Sequence, residues 1–178
     1  KYNSAGTKQW AKQFGSTTND YGYGLKADSA GNIYVTGTAS RGMYGNTHYG
    51  SYDIFLAKYN SAGTKQWTKQ FGTTSIDRGR GVTVDSAGNI YVTGETQGTL
   101  DGNTSAGNYD IVLAKYNSAG TKQWTKQLGT STGDYGKGIS MDSSDNIYMT
   151  GYTGGGLDGN TSKGAVDIFL AKYNSAGT

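Results

Sequence analysis

The chain has 178 residues, 16 basic and 13 acidic side chains, a net charge of +3 and neither cysteine nor proline. Without cysteine there is no disulfide framework and no thiolate zinc site. The charge is too small and too evenly spread to point to nucleic acid, and no apolar run approaches the roughly 20 residues of a membrane-spanning helix.

The stretch KYNSAGTKQW begins at residues 1, 58 and 115, and its first seven residues return at 172, a constant spacing of 57. A fixed period of this size marks a repeat protein. The expected organisation is the end of one repeat unit over 1–22 (its last two strands), complete units over 23–79 and 80–136, and an incomplete unit over 137–178 that lacks its last strand. Because the chain opens and closes inside its own repeat, it reads as a window on a longer array. The 30 glycines and 15 tyrosines, with Val, Ile and Thr between them, indicate an all-β protein.

In the second period, Gly81–Asp85 reads as a short strand A. Asp85-Ser86-Ala87-Gly88-Asn89 is a tight turn, opened by an aspartate that bonds its own backbone and closed by a glycine at positive φ. Asn89–Gly94 is strand B, and a Gly/Thr/Asn-rich loop follows from Glu95 to Tyr109. Asp110–Tyr116 is strand C, Asn117-Ser118-Ala119-Gly120 a second tight turn, and Thr121–Leu128 strand D. Four antiparallel strands per period follow.

Strand C is apolar on both faces, Ile111 and Leu113 on one, Val112 and Ala114 on the other, and so must be covered on both. Strand D carries Trp124 and Leu128 on one face, polar residues on the other, and lysines that suit an outer edge. Small sheets with a polar outer edge and two apolar faces, stacked around an axis, are β-propeller blades. A β-solenoid is the competing architecture, but its coils are shorter, about 20–30 residues in the leucine-rich case, and lack two hairpins per coil. Three periods fall short of the usual 4–8 blades. The chain is thus expected to belong to a larger propeller, to close a ring with other copies, or to continue from copy to copy as a filament. In the ring, Lys8–Phe14 of one copy would complete the blade Gly138–Tyr173 of the next.

The residues Asp77-x-Gly-x-Gly81-Val-x-Val-Asp85-x-x-Gly88-Asn89-x-Tyr91-Val-Thr-Gly94, followed by Asp110-Ile-Val-Leu-Ala-Lys-Tyr-Asn, resemble the bacterial β-propeller repeat family known as SBBP. The resemblance recurs in all three periods, although the third has Asp145 where the others have Gly31 and Gly88. Aspartate tolerates the left-handed region moderately well, so the turn is expected to survive. The run Asn60-x-x-Gly63-x-x-x-Trp67 is similar to the tryptophan-docking motif of quinoprotein propellers, which implies that Trp10, Trp67 and Trp124 pack between adjacent blades. The family resemblance implies a secreted or cell-surface prokaryotic protein, usually without catalysis, and brings no active site to transfer.

The A–B and C–D turns should lie on one rim and the longer, more varied D–A and B–C loops on the other, where binding residues are expected. Rim tyrosines Tyr21, Tyr23, Tyr44, Tyr135 and Tyr152 offer ring faces for sugars; rim packing is the plainer account. Asp101-Gly-Asn103-Thr-Ser105 and Asp158-Gly-Asn160-Thr-Ser162 place oxygens at alternate positions, as at the start of a Ca²⁺ loop. With no glutamate at the twelfth position and no glycine at the sixth, an Asx-turn loop is the plainer reading, and no other cofactor is expected. Asp20, Asp77 and Asp134 are read as hydrogen-bonded bends entering strand A, and His48 as a loop side chain. The expected function is a non-catalytic structural or interaction scaffold whose partners are further blades or other copies of itself. A carbohydrate-binding propeller is the alternative.

Overall fold

The computed structural model describes residues 1–178. Eleven strands run in chain order: β1 Asp20–Ala27, β2 Ile33–Ala39, β3 Asp53–Tyr59, β4 Lys65–Phe71, β5 Asp77–Val84, β6 Ile90–Thr96, β7 Asp110–Tyr116, β8 Lys122–Leu128, β9 Asp134–Met141, β10 Ile147–Thr153 and β11 Asp167–Tyr173. They form two four-stranded sheets, β1-β2-β3-β4 and β5-β6-β7-β8, and one three-stranded sheet, β9-β10-β11. All neighbours are antiparallel, and the register repeats at the 57-residue spacing: Ile33 faces Tyr59, Ile90 faces Tyr116 and Ile147 faces Tyr173. The blade boundaries expected at 23, 80 and 137 fall inside β1, β5 and β9.

Each A–B turn is built by its first aspartate. Asp85 Oδ1 accepts from the backbone N–H of Ala87 and Asn89 at 3.0 and 2.7 Å, and Oδ2 accepts from Asn89 Nδ2 and the Tyr91 hydroxyl at 2.8 and 3.0 Å. One carboxylate thus satisfies four donors in a turn that has no ladder of its own. In the third blade Asp145 takes the left-handed position at φ 59°. Its carboxylate accepts from the Ser86 N–H and hydroxyl of the preceding blade at 3.1 and 2.6 Å.

The core lies between sheets rather than within one. Tyr34, Ile54 and Leu56 of the first blade pack with Val82, Ile90, Val92 and Val112 of the second. Tyr91, Ile111 and Leu113 of the second pack with Ile147, Met149 and Phe169 of the third. The first blade's other face holds Ala39, Phe55 and Tyr59, partly roofed by Phe14, whose ring lies 5.2 Å from that of Tyr59. Tyr2 bridges Lys8, the position that Tyr59 and Lys65 occupy one period later, so residues 1–14 repeat the end of a C–D hairpin.

Strand A is longer than the sequence suggests. It begins at the aspartate of D-x-G-x-G and carries a register shift between the two glycines in the first two blades. Gly24, Gly79 and Gly81 mark crowding, not a loop, while Gly22 stands open. Neighbouring A strands approach so closely that a β-carbon on Gly24 would stand 2.9 Å from the Arg80 carbonyl oxygen, and one on Gly81 would stand 3.0 Å from Ile139. β5 packs against both β1 and β9, which makes strand A the inner edge of the array and leaves D at the outer edge.

Candidate functional site

The two rims separate as expected. On one, A–B and C–D turns of adjacent blades meet: Lys1, Lys58 and Lys115 each donate from Nζ to the carbonyl of Ser61, Ser118 or Ser175, one blade on. On the other, the B–C loop pairs with the D–A loop, through parallel bridges of Tyr52 with Ile76 and Tyr109 with Gly133. The D–A loop is held by its aspartate: Asp77 Oδ2 accepts from the Thr73 N–H at 2.6 Å, and the Thr96 hydroxyl donates to Oδ1.

Each B–C loop folds back along strand D. Asn46 and Asn103 donate from Nδ2 to the carbonyls of Met43 and Leu100 and across to Thr68 and Thr125 on β4 and β8. This plugs Met43 and Leu100 into the interior, as Leu157 is plugged in the third blade. Gln70 and Gln127 lock the plug, each accepting from its N–H and donating to Asp53 or Asp110.

The Asp101–Ser105 oxygens are engaged in this folding. Asp101 accepts from Lys122 Nζ at 2.6 Å and from the Thr125 hydroxyl at 2.6 Å, and Ser105 donates to the Gly107 carbonyl. In the third loop Asn160 bonds Leu157, Ser162 bonds Gly164 and Asp167, and Asp158 sits at positive φ. No three acidic or histidine side chains converge in a metal-site arrangement. His48 Nδ1 lies 3.1 Å from Asp53 Oδ2.

Four of the five tyrosines share one surface, though not as loop residues. Tyr21 and Tyr23 lie in β1, Tyr135 in β9 and Tyr152 in β10, because strands A and B both extend beyond the glycines that were read as their limits. Tyr21 and Tyr23 stack at 6.3 Å, and Tyr135 lies 4.6 Å from Tyr152 and 5.1 Å from Tyr109. Tyr44 stands apart in its loop, with Lys65 Nζ 3.0 Å from its ring centroid.

Between the two tyrosine groups sits a charged cluster that the sequence reading missed. Glu95 was assigned to a loop; it lies in β6 and is fully buried. Arg80 donates to it from Nε and Nη2 at 2.9 and 2.6 Å. Lys137 Nζ of the next blade is 3.3 Å away, and Arg78 Nη1 is at 4.0 Å. The cations in turn face aromatic rings: Arg80 over Tyr23 at 4.5 Å, Lys137 over Tyr135 and Tyr152 at 4.9 and 5.2 Å. Arg78 donates to the Tyr109 hydroxyl at 3.2 Å. The signal in the sequence was the departure from the repeat: Arg80 and Lys137 replace Tyr23, and Glu95 replaces Thr38.

Three cations surround one carboxylate, so the cluster carries an excess of two positive charges. Burial lowers the Lys137 ammonium below its ordinary value, opposed by Glu95 and reinforced by Arg80 and Arg78. Burial also acts to lower Arg80, but the Glu95 hydrogen bond and charge outweigh it and raise it. A buried carboxylate with bidentate arginine is a rigid support, and the remaining positive charge is available to an anion beside it.

Antiparallel sheets stacked face to face, with their A strands packed together at an inner edge and their cores shared between neighbours, define a set of β-propeller blades. Comparison with known proteins agrees. The beta-propeller repeat model SBBP matches residues 9–40, 66–100 and 123–158, more than half of the chain, and the chain belongs to this family. It is similar to an uncharacterized WD repeat-containing protein, L264, of Acanthamoeba polyphaga mimivirus, at 27% identity over 218 residues covering 94% of this chain and 16% of that protein. It is also similar to the regulatory protein FlaEY of Caulobacter vibrioides, at 28% identity over 149 residues covering 75% of this chain and 16% of that protein. The chain spans about a sixth of the length of these curated relatives.

Proposed function

We propose that the chain is a non-catalytic interaction scaffold whose blades associate with further blades of the same kind, in a secreted or cell-surface setting. One observation carries the association: positions buried between blades in the middle of the array are bare at its two ends. Ile111 and Leu113 are each 1% exposed, while Ile168 and Leu170, one period on, are 87% and 77% exposed; Val82 is 6% exposed and Leu25, one period back, 69%. Apolar faces of this kind are sites of association. The residue chemistry supports a scaffold, since the conspicuous carboxylates are engaged in turns, loops and one ion cluster. The secreted or cell-surface setting rests on the family resemblance. Sedimentation of the 178-residue chain is the test. Concentration-dependent association is expected; a monomer at all concentrations would remove the reading.

A second reading, carbohydrate binding, is favoured by one specific observation. Tyr21 and Tyr23, and Tyr135 and Tyr152, gather on one surface at the inner edge, and Tyr21, Tyr23 and Tyr152 keep 46%, 48% and 36% of their surface exposed, which leaves ring area open to sugar C–H groups.

A further inference from the structure

We propose that the inner-edge surface around Glu95 binds a carboxylated oligosaccharide, the sugar rings lying on the tyrosines and one carboxylate meeting Arg78 and Lys137. The inference rests on the carbohydrate reading and gives it a substrate class. Three features carry it.

The first is unspent charge. Glu95 is fully buried and takes both of the short Arg80 bonds. Arg78 reaches Glu95 only at 4.0 Å and Lys137 at 3.3 Å, and both side chains keep about a third of their surface, 27% and 33%. They are held in place by Glu95 and the rings, yet face outward with donors to spare.

The second is the position of the charge among rings. The order Tyr21–Tyr23–Arg80–Glu95–Lys137–Tyr135–Tyr152 runs unbroken across three blades through contacts of 6.3 Å or less. Such an arrangement, ring pairs on either side of a cationic centre, suits a ligand whose sugar rings flank an anionic group. Only three cations gather here, in a chain of net charge +3, whereas a polynucleotide wants a basic stripe that follows many phosphates.

The third is the break in the repeat. At the Arg80 position the three blades carry Tyr23, Arg80 and Lys137, and at the Glu95 position Thr38, Glu95 and Tyr152. The inter-blade core, by contrast, is nearly invariant, with the strand motif DIFLAKY identical in β3 and β11. Stacking alone does not call for a different residue in each blade at this surface; an asymmetric ligand does.

The test is titration calorimetry of the chain with a galacturonate pentamer, its methyl-esterified neutral counterpart and a pentanucleotide. The expected result is saturable binding of the pentamer, weakened at least tenfold by the ester, by 0.5 M salt and by Arg78→Gln, which leaves the Arg80–Glu95 bonds intact. Lys137→Gln should act in the same direction, with far-ultraviolet circular dichroism of both variants unchanged. Equal binding of pentamer and ester would overturn the acidic preference while leaving the carbohydrate reading standing; binding of neither sugar would remove both. Tighter binding of the pentanucleotide, or unchanged affinity in both variants, would also overturn the proposal.

Discussion

The indole of Trp67 rests on Gly120 of the next blade, close enough that a β-carbon added to Gly120 would stand 3.0 Å from Cδ2 and Cε2 of the ring. Trp10 meets Gly63 and Trp124 meets Gly177 in the same way, and Trp10 Nε1 donates to the Ser61 carbonyl at 3.3 Å. The tryptophans therefore join adjacent blades at the turn rim, as the docking motif implied, but they are half-buried rather than sealed in the core.

This contact can be separated from the turn that carries it. Gly120 has φ +78° and Gly102 has φ +76°, but nothing stands within 4 Å of a β-carbon at Gly102. Gly102→Ala should cost about 1 kcal/mol for the left-handed backbone alone. Gly120→Ala should cost about 2–3 kcal/mol, because the ring must also move. Urea unfolding of the two variants compares them directly, and equal losses would show that the indole yields freely. Trp67→Ala, a partly exposed truncation, is expected to cost about 2 kcal/mol, below the usual range for a buried aromatic.

The Glu95 cluster should behave as a unit. Glu95→Gln leaves Arg80 and Lys137 facing a neutral amide and is expected to destabilise the fold by about 2–3 kcal/mol, reduced from the fully buried case by the partial exposure of the cations. The pair R80Y/E95T, which installs the Tyr23 and Thr38 pattern of the first blade, should recover most of that loss. A double variant no more stable than E95Q would mean that the blades differ here for reasons beyond these two positions.

Acid stability should depend on the A–B turns. The Asn146 side-chain and backbone donors, then the Ser144 N–H and the Tyr148 hydroxyl, lower Asp142 from the ordinary 3.8 to about 2. A carboxylate depressed in the folded state stabilises above its unfolded value and loses that contribution as pH falls through its folded value. The window is therefore pH 4 down to 2, and Asp28 is shifted in the same direction. Asp77 opposes them, since burial raises it despite its hydrogen bonds, so its protonation favours the folded state as pH falls. Asp142→Asn should flatten the decline in thermal midpoint between pH 4 and 2; an unchanged slope would place the acid sensitivity elsewhere.

On the alkaline side, burial, together with the Asp28 or Asp85 hydrogen bond, raises the Tyr34 and Tyr91 hydroxyls above the ordinary value of 10. Groups raised in the folded state support it fully below the unfolded value and lose that support as pH climbs toward the folded one. Stability should therefore decline above about pH 10, and Tyr91→Phe, which removes the phenol, should lessen the decline seen in a circular-dichroism melt series.

The terminal face gives the last expectation. I168K/L170K places two charges on the bare face of the third blade and should shift the sedimentation distribution to smaller species without lowering the unfolding free energy by more than about 1 kcal/mol. Loss of the fold instead would show that these side chains support their own blade.

The 57-residue period, the strand sequence and both tight turns were legible in the chain because each is fixed by near neighbours: Asp85 binds donors two to six residues away, and alternation along β7 shows that both faces are covered. The sheet order followed from the need of such faces for neighbours, and the tryptophan contacts were implied by the resemblance to the docking motif. The inner edge was not legible. Gly79 read as a loop residue because a missing side chain looks the same whether the chain is turning or another backbone, here the Gly37 carbonyl, lies 3.0 Å away. Glu95 read as the start of a loop because its neutralising partners come from Arg80, fifteen residues away, and Lys137, forty-two residues away in a different blade. Local chemistry determined the blade; only the stacking of blades decided which charges are buried, which rings meet and which apolar faces are left uncovered, since those depend on groups brought together from separate repeats.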